Sequence, residues 1–193
     1  MKVYFLRHGE TQYNLEMRMQ GWIDIPLNEK GISQAEEAKE RIRELGIRFD
    51  TVYSSPLARA KKTASVVSGL EESDLIIDDR LIEMGFGDYE GLRFERIPDD
   101  VFDLIRHAEG DEVPGNAEST SQVLRRTKSF LTDLEERDGE TVLCVAHGVT
   151  IRSIYGHLNG DGTSIPWEVS VGNCALFETD LRNGEYSPLV RIL

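Results

Sequence analysis

Leu6-Arg7-His8-Gly9-Glu10-Thr11 closes the short apolar run Val3-Tyr4-Phe5-Leu6 and sets an imidazole beside a guanidinium where a strand gives way to a loop. In open α/β sheets ligands bind outside the carboxyl ends of the strands, so a histidine with a fixed cation next to it is well placed there as nucleophile or ligand. A second apolar, partly β-branched run, Thr141-Val142-Leu143-Cys144-Val145-Ala146, ends in His147-Gly148. If the two strands are parallel, both histidines reach one rim of the sheet.

The segments around these strands alternate in type. Between Lys30 and Leu45 the residues Ile32, Ala35, Ala38, Ile42 and Leu45 recur at helical spacing, and Gly46 follows as a C-terminal cap. Thr51 to Ser54 reads as a strand, and Ser55-Pro56 supplies an N-cap and first-turn proline for a helix that Gly69 ends. Leu75 to Ile77 reads as a further strand. Ser119 begins a helix whose Val123, Thr127, Phe130, Leu131 and Leu134 share a face, stopped by Asp138-Gly139, and another helix runs from Val149 to about His157. Ala175 to Thr179 and Ser187 to Ile192, around Asn183-Gly184, read as a closing hairpin. This order predicts a three-layer α/β/α fold with a mainly parallel central sheet and an antiparallel edge. Gly85 to Glu118 is rich in Gly, Pro and acidic residues, with only Phe94 to His107 helical in pattern, and reads as a short cap inserted over the strand ends. Residues 1–193 are expected to form a single domain.

The chain has 193 residues, 39% of them hydrophobic, enough for one sizeable core. Its formal charge of −13 repels nucleic acid and anionic membranes, so any anion site has to be local. The apolar run after Lys2 is too short for a signal peptide, and no stretch approaches the ~18 to 20 apolar residues of a membrane span. A cytoplasmic protein is expected, as monomer or homodimer. Cys144 and Cys174 both fall in apolar, strand-like runs and read as buried small hydrophobes, without a disulfide or zinc site.

Arg7-His8-Gly9-Glu10-Thr11 with Asn14, Gln20-Gly21, Ser54-Ser55-Pro56-Leu57 with Arg59-Ala60 and Thr63-Ala64, Glu83, and Ala146-His147-Gly148 follow one another along the chain. Together, over nearly its whole length, they resemble the histidine phosphatase superfamily, also called the phosphoglycerate mutase-like family. The resemblance implies a small-molecule phosphoester substrate, no cofactor, and His8 as the nucleophile that becomes phosphohistidine, its ring held by a backbone hydrogen bond. It implies that Arg7 and Arg59 clamp the phosphoryl oxygens, which carry the charge of a loose transition state. His147, if protonated, would add a third cation, and Gly148 keeps the turn narrow enough for phosphate to approach. Glu83 matches the family's proton donor to the leaving oxygen, and Asn14 and Gln20 match its neutral phosphate-loop residues. A metal set of His8, Glu10 and His147 is the chemical rival, but Arg7 and Arg59 would repel a divalent ion, so metal-independent transfer is expected. Neither Gly-x-x-x-x-Gly-Lys nor Gly-x-Gly-x-x-Gly occurs, which leaves ATP and NAD unsupported.

Family members differ in whether water or a second hydroxyl takes the phosphoryl group. Cofactor-dependent mutases carry Glu-Arg-His-Tyr-Gly where this chain has Glu83-Met84-Gly85-Phe86-Gly87, while Phe86-Gly87-Asp88-Tyr89-Glu90-Gly91 resembles the Phe-Gly-x-Trp-Glu-Gly pattern of small phosphatases. Hydrolysis is therefore expected, with a phosphoglycerate mutase as the alternative. A silent phosphate-binding protein is a third reading, opposed by retention of Arg7, His8, Arg59, Glu83 and His147. Pro114-Gly115-Asn116-Ala117-Glu118-Ser119 departs by one residue from the usual Pro-Gly-Gly-Glu-Ser and is expected to reshape the roof of the site. Arg93, Arg96, Arg106 and His107 are available there for a second acidic group of the substrate, or as plain surface charge.

Overall fold

Strand β1 (Lys2–Arg7) buries side chains on both faces, Val3 and Phe5 in one apolar cluster and Tyr4 and Leu6 in another. A strand buried on both sides needs a layer of helices above and below it, which is why its apolar run is continuous rather than alternating. The computed structural model of the chain describes residues 1–107, 113–137 and 141–193, without the side chains of Phe102 and His107. The expected Asp138-Gly139 helix stop lies outside the described residues.

The sheet is the expected three-layer core. After β1 come α1 (Gln12–Leu15), α2 (Glu29–Glu44), β2 (Thr51–Ser54), α3 (Ala58–Ser68), β3 (Ile76–Ile77), α4 (Asp99–His107), α5 (Thr120–Glu135), β4 (Thr141–Ala146), α6 (Gly148–Asn159), β5 (Leu176–Arg182), β6 (Glu185–Tyr186) and β7 (Val190–Arg191). The strands lie in the order β3-β2-β4-β1-β5-β6, with β7 also on β5; β3, β2, β4 and β1 are parallel and β5 is antiparallel to β1. Ala35, Ala38 and Ile42 of α2 and Ala60 and Ala64 of α3 pack on one face, and Phe130, Leu131, Ile151 and Ile154 of α5 and α6 on the other. Neighbouring strands β1 and β4 therefore lead to helices on opposite faces, and a crevice opens between their carboxyl ends. In their register Arg7 faces Ala146, so His8 and His147 both emerge at that crevice.

Four local expectations are corrected. Helix α3 starts at Ala58 with Leu57 as N-cap, not Ser55; the Ala58 N–H donates to Asp24 Oδ1 (2.7 Å), so its cap comes from a distant loop. The helical stretch at Phe94 is split by Pro98 into one turn, Phe94–Arg96, and α4, because proline cannot continue the preceding turn. In the closing hairpin β5 runs on to Arg182 and pairs with Glu185–Tyr186 across Asn183-Gly184, both at positive φ; Pro188 separates that pairing from β7. Cys144 is buried in β4, but Cys174 is only partly buried, outside any strand, in a left-handed backbone conformation (φ 54°).

Two glycines bring α2 against the loop that carries His8. A Cβ on Gly31 would run into the Glu10 backbone, and one on Gly9 into the Gly31 carbonyl. Gly31→Ala is therefore expected to destabilise the fold by about 1–3 kcal/mol through overpacking, although alanine is the better helix former. Urea unfolding checks this; a stabilised variant would mean the backbones can separate freely.

Of the described residues between Gly85 and Glu118, Phe86, Ile97, Ile105 and Ala117 pack with Met84, Val123 and Val149 in a third apolar cluster. Gly115 is at φ 66° with Asn116 at φ 57°, and a Cβ on Gly115 would strike the Tyr89 ring, so the loop with the extra residue is seated on Gly87–Tyr89. Among the described residues no helix is long and apolar enough to cross a membrane.

Candidate active site

His8 leaves β1 as a buried side chain whose position is fixed from several sides. Its backbone N–H donates to Ala146 O (3.1 Å) and its carbonyl accepts from Asn173 Nδ2 (3.1 Å), while the Gly9 N–H donates to Thr63 Oγ1 (3.1 Å). The ring Nδ1 lies 2.7 Å from Gly9 O. A carbonyl can only accept, so Nδ1 carries the proton and Nε2 is left with its lone pair. Burial, then the charges of Arg7 and Arg59, hold the His8 pKa well below 6.5, so the ring is neutral at pH 7.

His147 lies beside it, ring centroids 5.0 Å apart. Its Nε2 is 2.7 Å from Ser55 Oγ, and its buried Nδ1 has no protein partner. The third-cation expectation is corrected: burial, with Arg59, His8 and Arg7 adding to it, pulls the His147 pKa well below 6.5, so it is neutral. The Ser55 hydroxyl, expected to cap a helix, instead orients this ring.

Both arginines are braced through backbone carbonyls. Arg7 Nη1 donates to Val171 O (2.6 Å); Arg59, fully buried, donates from Nη1 to Ile23 O (2.9 Å) and from Nη2 to Gly21 O (2.8 Å). The Nε atoms of both are buried with no hydrogen-bond partner. Burial lowers the Arg59 pKa to about 10, and the nearby Glu83 carboxylate works against that, so it remains charged at neutral pH. Thr11 caps α1, and its hydroxyl donates to Gln20 Oε1 (2.7 Å), while Asn14 Oδ1 accepts from the Thr11 N–H (3.2 Å) and Asn173 Nδ2 (3.3 Å). With their oxygens engaged, Asn14 and Gln20 keep amide N–H donors for the cavity they line.

Glu83 closes the site at the start of α6. Its Oε1 accepts from the N–H groups of Met84 (2.9 Å), Val149 (3.1 Å) and Thr150 (3.3 Å), and its own carbonyl accepts from Trp22 Nε1 (2.8 Å). Glu90 ties the two walls together by accepting from the N–H groups of Trp22 (2.8 Å), Ile23 (3.2 Å) and Phe86 (2.9 Å). A Cβ on Gly148 would lie 3.8 Å from Arg7 Nε and 3.7 Å from Glu83 Oε2, so the glycine leaves room between them.

These groups open into a cavity of about 530 Å³. His8, Arg7, Arg59, Glu83, Asn14, Gln20 and Gly148 line it, and the fully buried His147 ring lies beside that of His8. Glu10 does not join them: its carboxylate accepts from Asn28 Nδ2 (3.0 Å) and Lys30 Nζ (2.9 Å), so the alternative metal set is not assembled. Of the basic residues singled out near the roof, Arg106 lines the cavity and Arg93 and Arg96 do not; the His107 side chain lies outside the described residues. Sequence reasoning missed Arg152, Arg18 and Trp167, which also line it. Arg152 had a signal, since it falls four residues after Gly148 on the same helix face.

A family model described as histidine phosphatase superfamily (branch 1) matches residues 3–191. The chain belongs to the histidine phosphatase superfamily. A protein of Hydrogenobacter thermophilus named "Putative phosphoserine phosphatase 2" is 34% identical over 194 residues, covering 98% of this chain and 93% of its own. A mutant phosphoserine phosphatase from Entamoeba histolytica, solved with phosphoserine, superposes with a TM-score of 0.81 at 30% identity, covering 100% of this chain and 95% of that one. Phosphoglycerate mutase from Thermus thermophilus superposes with a TM-score of 0.76 at 27% identity, covering 100% and 99%. Membership in this superfamily supports a phosphatase- or mutase-type enzyme, and the fold is phosphoglycerate mutase-like.

Burying two neutral histidines has a consequence for stability. In the unfolded chain His8 and His147 take up protons near pH 6.5; in the fold both resist protonation until well below it, and His157, also lowered by burial, acts in the same direction. Between these limits the unfolded state binds more protons, so stability falls as pH drops. A loss of about 2–3 kcal/mol is expected between pH 7.5 and 5.5 from the pair. Urea unfolding at the two pH values checks it; equal stabilities would mean the rings are charged in the fold.

Proposed function

We propose that the protein hydrolyses phosphomonoesters without a metal, through a phosphohistidine on His8. The observation that carries this reading is the buried, neutral His8 whose Nδ1 is tied to Gly9 O, leaving Nε2 as a nucleophile beside two charged arginines. In the first step Nε2 forms a bond to phosphorus as the ester P–O bond breaks, and Glu83 gives its proton to the departing oxygen. Arg7, Arg59, the amides of Asn14 and Gln20 and the Nδ1 of His147 are the donors for the three equatorial oxygens. In the second step water attacks phosphorus, the N–P bond breaks, and Glu83 takes the proton from water. Among the described residues between Gly85 and Glu118, Phe86, Phe94, Ile97, Asp99 and Arg106 cap the cavity.

Hydrolysis is favoured over mutase chemistry by the stretch after Glu83. Met84 is fully buried and Phe86 nearly so, both in the apolar cluster beneath the cap, and Gly85 packs against the Trp22 ring. This stretch presents no polar side chain to a second hydroxyl substrate. The test is a base quench after mixing with a ³²P-labelled phosphomonoester in EDTA. Alkali-stable, acid-labile protein label and continuing phosphate release are expected. No label in a folded protein would overturn the phosphohistidine, and isomerisation of phosphoglycerates without phosphate release would replace the hydrolase by a mutase.

A further inference from the structure

The loop that leads into β5 braces the phosphoryl end of the site. Val171 O accepts from Arg7 Nη1 (2.6 Å), the Cys174 N–H donates to Arg7 O (3.2 Å), and Asn173 Nδ2 lies 3.1 Å from His8 O and 3.3 Å from Asn14 Oδ1. The Ala175 N–H donates to Gly172 O (3.1 Å), which closes a four-residue turn whose third residue, Cys174, is held at φ 54°. Glycine or asparagine ordinarily takes that position, so the turn carries backbone strain where it swings Asn173 against the end of β1. Asn173 is half-buried and does not itself line the cavity, whereas His8 and Asn14 do.

The polarity of these contacts is fixed from one end. A backbone carbonyl can only accept, so the Asn173 atom facing His8 O has to be the NH2 nitrogen. The same nitrogen, with its second proton, faces Asn14, so the Asn14 atom opposite it has to be the oxygen. The Thr11 N–H, 3.2 Å from Asn14 Oδ1, favours the same orientation. The Thr11 hydroxyl adds little, because it has one proton and Gln20 Oε1 at 2.7 Å is nearer than Asn14 Oδ1 at 3.2 Å. Turning the Asn14 amide over would set its NH2 against two donors and its oxygen toward the cavity, where an anion's oxygens repel it.

We propose that Asn173 is a positioning residue for the phosphoryl site: it carries the polarity of the His8 carbonyl to the Asn14 side chain and so keeps the Asn14 NH2 turned toward the bound phosphoryl group. This deepens the phosphomonoesterase reading and rests on its use of Asn14 as a donor there.

The test is a double-mutant cycle on inorganic phosphate binding, which needs no turnover. Phosphate is titrated calorimetrically into the parent, Asn173→Ala, Asn14→Ala and the double variant. Asn14→Ala is expected to weaken binding about tenfold and Asn173→Ala about fivefold, but the double variant no more than about twofold beyond Asn14→Ala alone, because the side chain through which Asn173 acts is gone. A merely structural role would not depend on Asn14, so equal losses from Asn173→Ala in the two backgrounds overturn the proposal. Parent-like binding in either single variant overturns it as well. Asn173→Leu keeps much the same shape and cannot donate, and it is expected to behave as Asn173→Ala; binding restored by shape alone would make Asn173 a packing residue. If Asn173→Ala fails to fold by circular dichroism, the cycle run with Asn173→Leu decides. Failure of the phosphohistidine would appear separately, as absent label in the quench with the parent protein.

Discussion

His8→Ala is expected to lower kcat/KM for p-nitrophenyl phosphate by about 10³-fold or more, because it removes the nucleophile rather than one of several donors. The phosphoenzyme should vanish with it. The fold should persist, since the ring makes one side-chain hydrogen bond, to the carbonyl next to it, and the loop is held by backbone bonds to Ala146 and Thr63 that do not involve the imidazole. Assay in EDTA, with a thermal melt as control, checks both halves. Retention of more than a tenth of the activity would mean that water attacks directly and that His8 only binds phosphate.

The second large effect is expected at Arg59, where charge and architecture coincide. Arg59→Lys should lower kcat/KM by about 10²–10³-fold, the scale of losing a preorganised donor at the developing charge. An ammonium cannot reach the carbonyls of Ile23 and Gly21 together and still present a third donor to the cavity, as the planar guanidinium does. The two carbonyls left without their charged partner should cost about 1–3 kcal/mol of stability. Kinetics, inorganic phosphate affinity and urea unfolding read the three consequences. Full activity in the lysine variant would reduce Arg59 to a source of positive charge.

The two predictions differ in how far the sequence anticipates them. His8 sits at the end of a continuous apolar run, a pattern that marks a doubly covered strand and places the residue at its carboxyl end. Arg59 by position alone is a residue in the first turn of a helix. Its side chain is buried because the Gly21 and Ile23 carbonyls fold over it from a loop 36 to 38 residues away. The same contrast separates Ser55 read as a helix cap from Ser55 found on His147 Nε2, with Asp24 capping the helix in its place. Each local rule was sound, but a stronger partner from elsewhere in the chain took the group.

Glu83 and Arg152 mark the same boundary within the cavity. Glu83 follows Leu81-Ile82 among several acidic residues, and what distinguishes it is that the start of α6 arrives to donate to it. Arg152 shares a face of α6 with Gly148 by spacing, yet its place in the cavity depends on the Val169 carbonyl that accepts from its Nε. The His147 charge could not be read locally either, because its pKa is set by burial and by cations from other elements.

The sequence by itself determined the strand and helix order, the parallel pairing that carries His8 and His147 to one rim, and the residue types that suit phosphoryl transfer. These follow from hydrophobic period and chain direction, which are local or nearly so. The tertiary structure alone decided which polar groups are engaged and which are left facing the cavity, that both histidines are neutral, and that Arg152 reaches the cavity beside Gly148. Those outcomes depend on distances between segments far apart in the chain, and both electrostatics and hydrogen bonding change steeply over the few ångströms that only packing sets.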